Sequence, residues 1–106
     1  MPFLHMKTLP VRERLPGWQS RAFHSATMTV VHYDFVAGAA IPEHHHQQEE
    51  IWQVVSGTLE VTIDGVSAIG APGVVAIVPT NARHAVKALT DGSVIIVSSP
   101  LRHGFD

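Results

Sequence analysis

Turn-forming residues recur along this chain at intervals too short for helices, and this spacing limits the possible folds more than any other feature. From Gly38 onward a turn signal follows roughly every 8–12 residues, as in all-β sandwiches and barrels. The runs between the turns, such as IWQVVSG and SVIIVSS, are rich in β-branched and aromatic residues. No apolar period of about 3.6 residues persists for three helical turns. The pattern predicts an all-β domain, either a sandwich or a barrel.

One turn can be predicted in detail, at Asp64 and Gly65. The surrounding segment TLEVTIDGVSAI alternates apolar and polar residues, as half-buried strands do. An Asp-Gly pair favours the two-residue type I′ turn, because both central residues need a positive φ. We therefore expect a β-hairpin centred on these two residues.

Prolines separate the first seventeen residues from the rest of the chain. Pro2, Pro10 and Pro16 fall in this segment, and Gly17 follows them. Proline cannot donate to a strand ladder, so residues 1–17 are predicted to form an irregular or edge-strand arm. With 106 residues the chain has room for one domain, which we assign to residues 18–106.

The composition argues against several classes of function. The formal net charge is −2 and no cluster of Lys or Arg occurs, so nucleic-acid binding is not expected. No apolar run approaches the ~20 residues of a membrane span, and the charged, proline-containing N-terminus is unlike a signal peptide. We expect a cytoplasmic protein without a membrane partner. The chain has no cysteine, so any metal site must use histidine and carboxylate ligands.

Histidine is unusually frequent, with eight residues, three of them consecutive. His44 and His46 are two positions apart, so on an extended strand both imidazoles project from the same face. Glu50 has the same parity if the chain stays extended, and it remains near the same point if Gln47 and Gln48 bend the strand. These three side chains are therefore expected to converge.

The same parity continues toward the next turn. Trp52 and Val54 should line the interior pocket, whereas His45 and Glu49 should face away from it. The remaining histidines are more simply explained as surface or core residues. These are His5, His24, His32 and His103.

The converging residues also carry a resemblance to the cupin superfamily. Its first motif consists of Gly, five residues, His-x-His, three or four residues, Glu, six residues and Gly. The chain matches this motif with Gly38, His44, His46, Glu50 and Gly57. The resemblance is to small, single-domain, RmlC-like cupins, and it implies one barrel of the double-stranded β-helix or jelly-roll type.

The second cupin motif is matched with two departures. Gly73, Pro79 and His84 stand at the expected spacings, but Asn81 replaces a glycine and Ala88 replaces an asparagine. The first change is mild because asparagine tolerates a left-handed backbone. The asparagine that Ala88 replaces is not a metal ligand in the family.

The resemblance implies a metal centre with four ligands, His44, His46, Glu50 and His84. Three imidazoles and one carboxylate suit a single divalent transition metal, which could be Mn, Fe, Co, Ni, Cu or Zn. Similar small cupins include dioxygenases and sugar-acid isomerase-like proteins. The expected function is therefore an enzyme that acts on a small oxygen-bearing organic molecule coordinated to the metal.

Two alternatives to an enzyme remain open at this point, a non-catalytic module that binds or senses a metal or small ligand, and a barrel that no longer uses its ligands. No catalytic acid or base can be assigned from the sequence. The nearest candidates are His32, Tyr33 and Asp34, and parity alone does not say which of them faces inward. The arm is expected to support a homodimer.

Overall fold

The computed structural model describes residues 2–104 of the chain and consists almost entirely of antiparallel β-strands. A single turn of 3-10 helix, Met6–Thr8, precedes the first strand. The strands, in chain order, are β1 (Arg12–Leu15), β2 (Trp18–His24), β3 (Thr29–Phe35), β4 (Ala40–His44), β5 (Glu49–Ser56), β6 (Leu59–Ile63), β7 (Val66–Gly70), β8 (Val75–Val78), β9 (His84–Ala88) and β10 (Gly92–Ser99). The prediction of an all-β fold is confirmed.

The strands form two sheets that enclose one core. The larger sheet has the order β1-β2-β3-β10-β5-β8, and the smaller has the order β4-β9-β6-β7. Alternate residues of β5 are buried, namely Glu50, Trp52 and Val54, so the parity expected of this strand is observed. An aromatic group fills the middle of the core, where the Trp18 ring centroid lies 5.4 Å from that of Tyr33 and 6.5 Å from that of Trp52.

The predicted hairpin forms between β6 and β7. Ile63 pairs with Val66, and the two residues between them have positive φ angles, 48° at Asp64 and 79° at Gly65. These angles fit the type I′ turn. The Asp64 carboxylate also accepts a hydrogen bond of 3.1 Å from the backbone N–H of Arg83, which ties the hairpin to the loop before β9.

Part of the predicted arm belongs to the larger sheet. Strand β1 pairs antiparallel with β2, with Arg12 opposite Ser20 and Leu15 opposite Trp18, and the register shifts between these two pairs. The arm thus adds an edge strand, and its end reaches the interior. No helix within residues 2–104 has the length and apolar character that crossing a bilayer requires.

Gly57, which closes β5, stands where a side chain has no room. Its φ is +74°, and an added Cβ would collide with the backbone around Asp91. We expect Gly57→Ala to lower the free energy of unfolding by at least about 2 kcal/mol, because left-handed strain and overpacking both contribute. Urea denaturation would measure the change.

Gly73 provides the matched control for this substitution. Its φ is +91°, but nothing lies within 4 Å of an added Cβ. Gly73→Ala should therefore cost only the backbone strain, about 1–2 kcal/mol. Equal losses for the two variants would contradict the steric explanation.

Candidate metal centre

Three histidines meet where the ends of β4 and β9 pair in the smaller sheet. His44 ends β4 and His84 begins β9, and the two residues are cross-strand partners. His46 lies beyond β4, where the chain leaves the smaller sheet. One ligand atom from each of the three lies within 4.8 Å of the other two. The ring centroids of His44 and His84 are 4.1 Å apart, and those of His46 and His84 are 5.0 Å apart.

The chain does not stay extended from His44 to Glu50, which corrects one of the two routes considered from the sequence. Strand β4 ends at His44 and β5 begins at Glu49, so residues 45–48 bend between the two sheets. The bend is held by a 2.8 Å hydrogen bond from the backbone N–H of Asn81 to the carbonyl of His46. His46 and Glu50 therefore approach each other across a turn of the chain and not along one strand.

Each imidazole of the cluster is oriented by a backbone carbonyl. A carbonyl oxygen only accepts hydrogen bonds, so each Nδ1 must carry a proton, and in the neutral imidazole Nε2 is left with a lone pair. The Nε2 atoms of His46 and His84 are buried and have no hydrogen-bond partner. The three contacts from Nδ1 are those of His44 to Pro42 O at 2.9 Å, His46 to Gln48 O at 3.0 Å and His84 to Ala82 O at 2.9 Å.

This arrangement meets the requirements of a metal site. Histidines that ligate a metal with one ring nitrogen usually donate the other N–H to a carbonyl or carboxylate, which sets the tautomer and the ring direction. Buried polar atoms without a partner are rare in proteins and indicate that something else satisfies them. A divalent transition metal would satisfy the lone pairs of all three Nε2 atoms.

Glu50 borders the histidine cluster and is almost fully buried, with 1% of its side chain exposed. Its Oε1 lies 3.4 Å from His84 Nε2, and its Oε2 lies 3.4 Å from His46 Nε2. The Trp52 indole N–H donates to Oε1 at 3.1 Å. The Ser98 hydroxyl donates to Oε2 at 2.9 Å, and the Arg102 guanidinium does so at 3.0 Å. The carboxylate is thus held by three donors beside the cluster.

The charge of Glu50 is maintained by these neighbours. Burial by itself would raise the pKa of the carboxyl group, but the His84 imidazole, the Trp52 N–H and the positive charge of Arg102 outweigh it and lower the pKa to about 2. Glu50 is therefore ionised at any physiological pH. An anionic carboxylate next to three imidazoles favours the binding of a cation.

This environment shifts the pKa values of the three imidazoles in different directions. Burial lowers the pKa of His44 and of His46 below the ordinary value. Burial also acts to lower the pKa of His84, but contact with the Glu50 carboxylate raises it on balance. His44 and His46 therefore present unprotonated Nε2 atoms at neutral pH, as metal ligation requires.

A cavity of about 300 Å³ opens beside His44 and Glu50. Its walls are largely apolar, and polar groups enter it from Tyr33, Glu43 and Arg102. Trp52 forms part of the wall. Val54 does not, because it lies one step deeper along β5 and packs in the core against Gly70.

The structure shows which of the three β3 candidates faces inward. Val31 and Phe35 are buried, so Tyr33 shares their face, while His32 and Asp34 lie on the outer face of the larger sheet. Tyr33 lines the cavity, and its ring centroid is 6.5 Å from that of Trp52. Burial raises the pKa of the Tyr33 hydroxyl, which therefore keeps its proton at neutral pH.

Arg102 was missed by sequence reasoning. It follows the last strand, 52 positions after Glu50, and belongs to neither motif. Its backbone N–H donates to the Thr29 hydroxyl at 2.8 Å, and the neighbouring Leu101 carbonyl accepts from the Gln48 amide at 3.1 Å. No local sequence pattern predicts such a residue, because only the folding of the chain brings it to the site.

Comparisons with known proteins agree with this architecture. A family model described as the cupin domain matches residues 31–100. An RmlC-like cupin from Shewanella frigidimarina NCIMB 400 is similar with a TM-score of 0.92 at 24% identity, over 100% of this chain and 96% of that chain. KdgF from Halomonas sp. is similar with a TM-score of 0.88 at 29% identity, over 95% of this chain and 94% of that chain.

A larger protein contains a similar unit. The S161A mutant of Bacillus subtilis oxalate decarboxylase OxdC is similar with a TM-score of 0.80 at 21% identity, over 92% of this chain but only 29% of that chain. At this identity the similarity concerns the fold alone. A comparison with curated protein sequences finds no match.

Proposed function

Since the chain belongs to the cupin family, we propose that His44, His46 and His84 bind one divalent transition metal and that Glu50 is the fourth ligand. The observation that carries this proposal is the set of three Nδ1–carbonyl bonds, which turn three Nε2 lone pairs toward one another. Glu50 Oε1 accepts one hydrogen bond and so has lone-pair capacity left for a cation. Mn, Fe, Co, Ni, Cu and Zn all suit this donor set.

We assign the protein to the enzymes that act on small organic acids, and of the two reaction classes considered we favour the sugar-acid isomerase-like class. A divalent metal, when bound, supplies Lewis acidity that polarises a carbonyl or hydroxyl oxygen of the ligand. The polar groups around the cavity support this choice.

Those polar groups suit proton transfer on an anionic substrate. The Tyr33 hydroxyl, protonated at neutral pH, can donate a hydrogen bond or a proton to a substrate oxygen. The Glu43 carboxylate lines the same cavity and can accept a proton. The Arg102 guanidinium also faces the cavity and can pair with a substrate carboxylate, since its planar fork matches that group.

The assignment is tested by replacing the proposed proton donor. We expect Tyr33→Phe to lower turnover by about 10²-fold or more, the range for loss of a positioned acid or base, while metal content stays unchanged. Metal-loaded protein would be incubated with a panel of keto and unsaturated sugar acids, and conversion would be followed by proton NMR. Asp34→Asn, which alters the adjacent residue on the outer face, should leave turnover intact.

The alternative is a module that holds a metal or small ligand without turnover. A module that only binds would show saturable ligand binding, with no conversion of any acid in the panel. Conversion that depends on Tyr33 would exclude this alternative.

The proposal includes a homodimer formed through the outer face of the larger sheet. Strand pairing aligns Phe23, Val30, Val97, Ile51 and Ile77 in one apolar row across five strands. Ile51 is 41% exposed and Ile77 60% exposed. A flat apolar row can pack against its own copy about a two-fold axis, because the same patch serves both subunits. This face replaces the arm as the expected interface, since β1 pairs within its own chain.

A charge placed in the row should separate the subunits. We expect wild-type protein to elute with about twice the chain mass of 11.5 kDa, and Ile51→Lys to elute as a monomer, because a buried unpaired ammonium is costly. Size-exclusion chromatography with light scattering measures both. Val66→Lys is the control, since Val66 is 73% exposed on the other sheet. A wild-type monomer would refute the interface.

A further inference from the structure

The cavity beside the metal centre changes from polar to apolar along the inner face of the larger sheet. Cross-strand pairing across β5, β10 and β3 places three polar residues in one row, Glu50, Ser98 and Thr29. The next row on the same face, about 7 Å further along the strands, holds Trp52, Ile96 and Val31. All three residues of this second row line the cavity, and we call it the apolar row.

Two further elements extend the apolar lining. Leu15 lines the cavity from the N-terminal arm, and Ile41 and Pro42 line it from β4. On β4 the change in polarity is repeated, because Ile41 lies three residues before the proposed ligand His44. The apolar lining therefore comes from both sheets, including the strand that the arm contributes.

The polar residues that line the cavity are concentrated near the proposed ligands. His44 and Glu50 belong to that group. Glu43 is the residue before His44, and it lines the cavity too. Arg102 contacts Glu50 at 3.0 Å. Tyr33 is the exception, since it lies one row beyond the apolar row on β3. A molecule that extends from the metal centre toward Tyr33 therefore passes along the apolar row.

The apolar row offers no hydrogen bond to such a molecule. The indole N–H of Trp52 already donates to Glu50. The backbone of β10 is paired with β3 on one side and with β5 on the other, so the ladders occupy the N–H and C=O groups around Ile96. A hydroxyl group buried there would lose its hydrogen bonds to water without replacement. A methylene group would instead be stabilised by leaving water.

We infer that the preferred substrate is a keto or unsaturated acid with a hydrocarbon segment next to its reacting end, and not an acid with a hydroxyl on each carbon. This inference rests on the proposed function and narrows its substrate class to deoxygenated relatives of the sugar acids. The reacting end lies at the metal centre, and the hydrocarbon segment packs against the apolar row, Leu15 and Ile41. The cavity volume of about 300 Å³ restricts the substrate to a small molecule.

Isothermal titration calorimetry with Co²⁺-loaded protein tests the inference. The probes are 2-oxo acids with straight alkyl tails of increasing length, and hydroxylated 2-oxo acids with the same number of carbons. We expect each added methylene to tighten binding about fourfold until the cavity is filled. A hydroxyl in this segment should weaken binding about tenfold. The heat capacity change of binding should become more negative as the tail grows, because burial of apolar surface has this signature.

Two pairs of variants locate the effect in the cavity lining. Val31→Thr places a hydroxyl in the apolar row, and it should reduce both the gain from the alkyl tail and the penalty for hydroxylated acids, with Co²⁺ content unchanged. Val61→Thr is its matched control, because Val61 is buried in the core and does not line the cavity. Leu15→Ala, at a partly buried position, should weaken the binding of the longest tails. Val11→Ala, at an exposed position of the same arm, should not.

Three results would overturn the inference. They are affinity that does not depend on tail length, hydroxylated acids that bind as tightly as their alkyl counterparts, and equal effects of Val31→Thr and Val61→Thr. If hydroxylated acids bind and are converted in a reaction that depends on Tyr33, the inference fails while the proposed function stands. If no acid of either series binds or is converted, the proposed function itself has failed.

Discussion

Replacement of His46 by alanine is expected to abolish the proposed metal binding. Loss of a partner that only orients a ligand already costs about 10–100-fold in metal affinity, so loss of a direct imidazole ligand should cost at least about 100-fold. The Nε2 atom of His46 is buried and has no hydrogen-bond partner. After the substitution, no neighbour would therefore replace its lone pair as a metal ligand. Elemental mass spectrometry of untagged protein would show near-stoichiometric metal in the wild type and none in His46→Ala.

His45 supplies the matched control within the same triplet. Its side chain is exposed, whereas His44 and His46 are partly buried. His45→Ala should therefore keep the metal, although it removes one histidine just as His46→Ala does. If the wild-type protein contains no metal even after reconstitution, the site is a hydrogen-bonded relic. If His46→Ala retains the wild-type amount, the ligand assignment is wrong.

Replacement of Glu50 by glutamine is expected to destabilise the metal-free protein by about 3–5 kcal/mol, the range for breaking a buried ion pair. Trp52, Ser98 and Arg102 all donate hydrogen bonds to this carboxylate. A glutamine amide would turn an N–H group toward one of these donors and would remove the negative charge that faces the Arg102 guanidinium. Urea denaturation of protein treated with chelator would measure the loss.

The same substitution should change how stability depends on pH. The pKa of Glu50 is lowered from 4.5 to about 2 in the folded protein, so folding favours the ionised form. Its contribution is complete above pH 4.5 and is lost as the pH falls toward 2. Glu50→Gln should flatten the stability profile of the metal-free protein in this window. Glu49→Gln, an exposed neighbour, should leave the profile unchanged.

Local spacing in the sequence was sufficient to predict an all-β fold and the proximity of His44 to His46. Turn residues at short intervals predict strands because backbone φ preferences and side-chain alternation act over a few residues. The hairpin at Asp64 and Gly65 follows for this reason. His44 and His84, which lie 40 positions apart, could be paired only through the resemblance to a family, and strand pairing brings them together in the structure.

Tertiary structure alone decided the surroundings of the site. Tyr33 could be placed inside only once the register of β3 was known, because a shift of one residue exchanges the two faces of a strand. Arg102 reaches Glu50 through a contact between distant segments that no local pattern encodes. The sequence by itself thus determined an all-β domain with candidate ligands, while the polar groups that would act on a substrate depend on how sheets and termini pack.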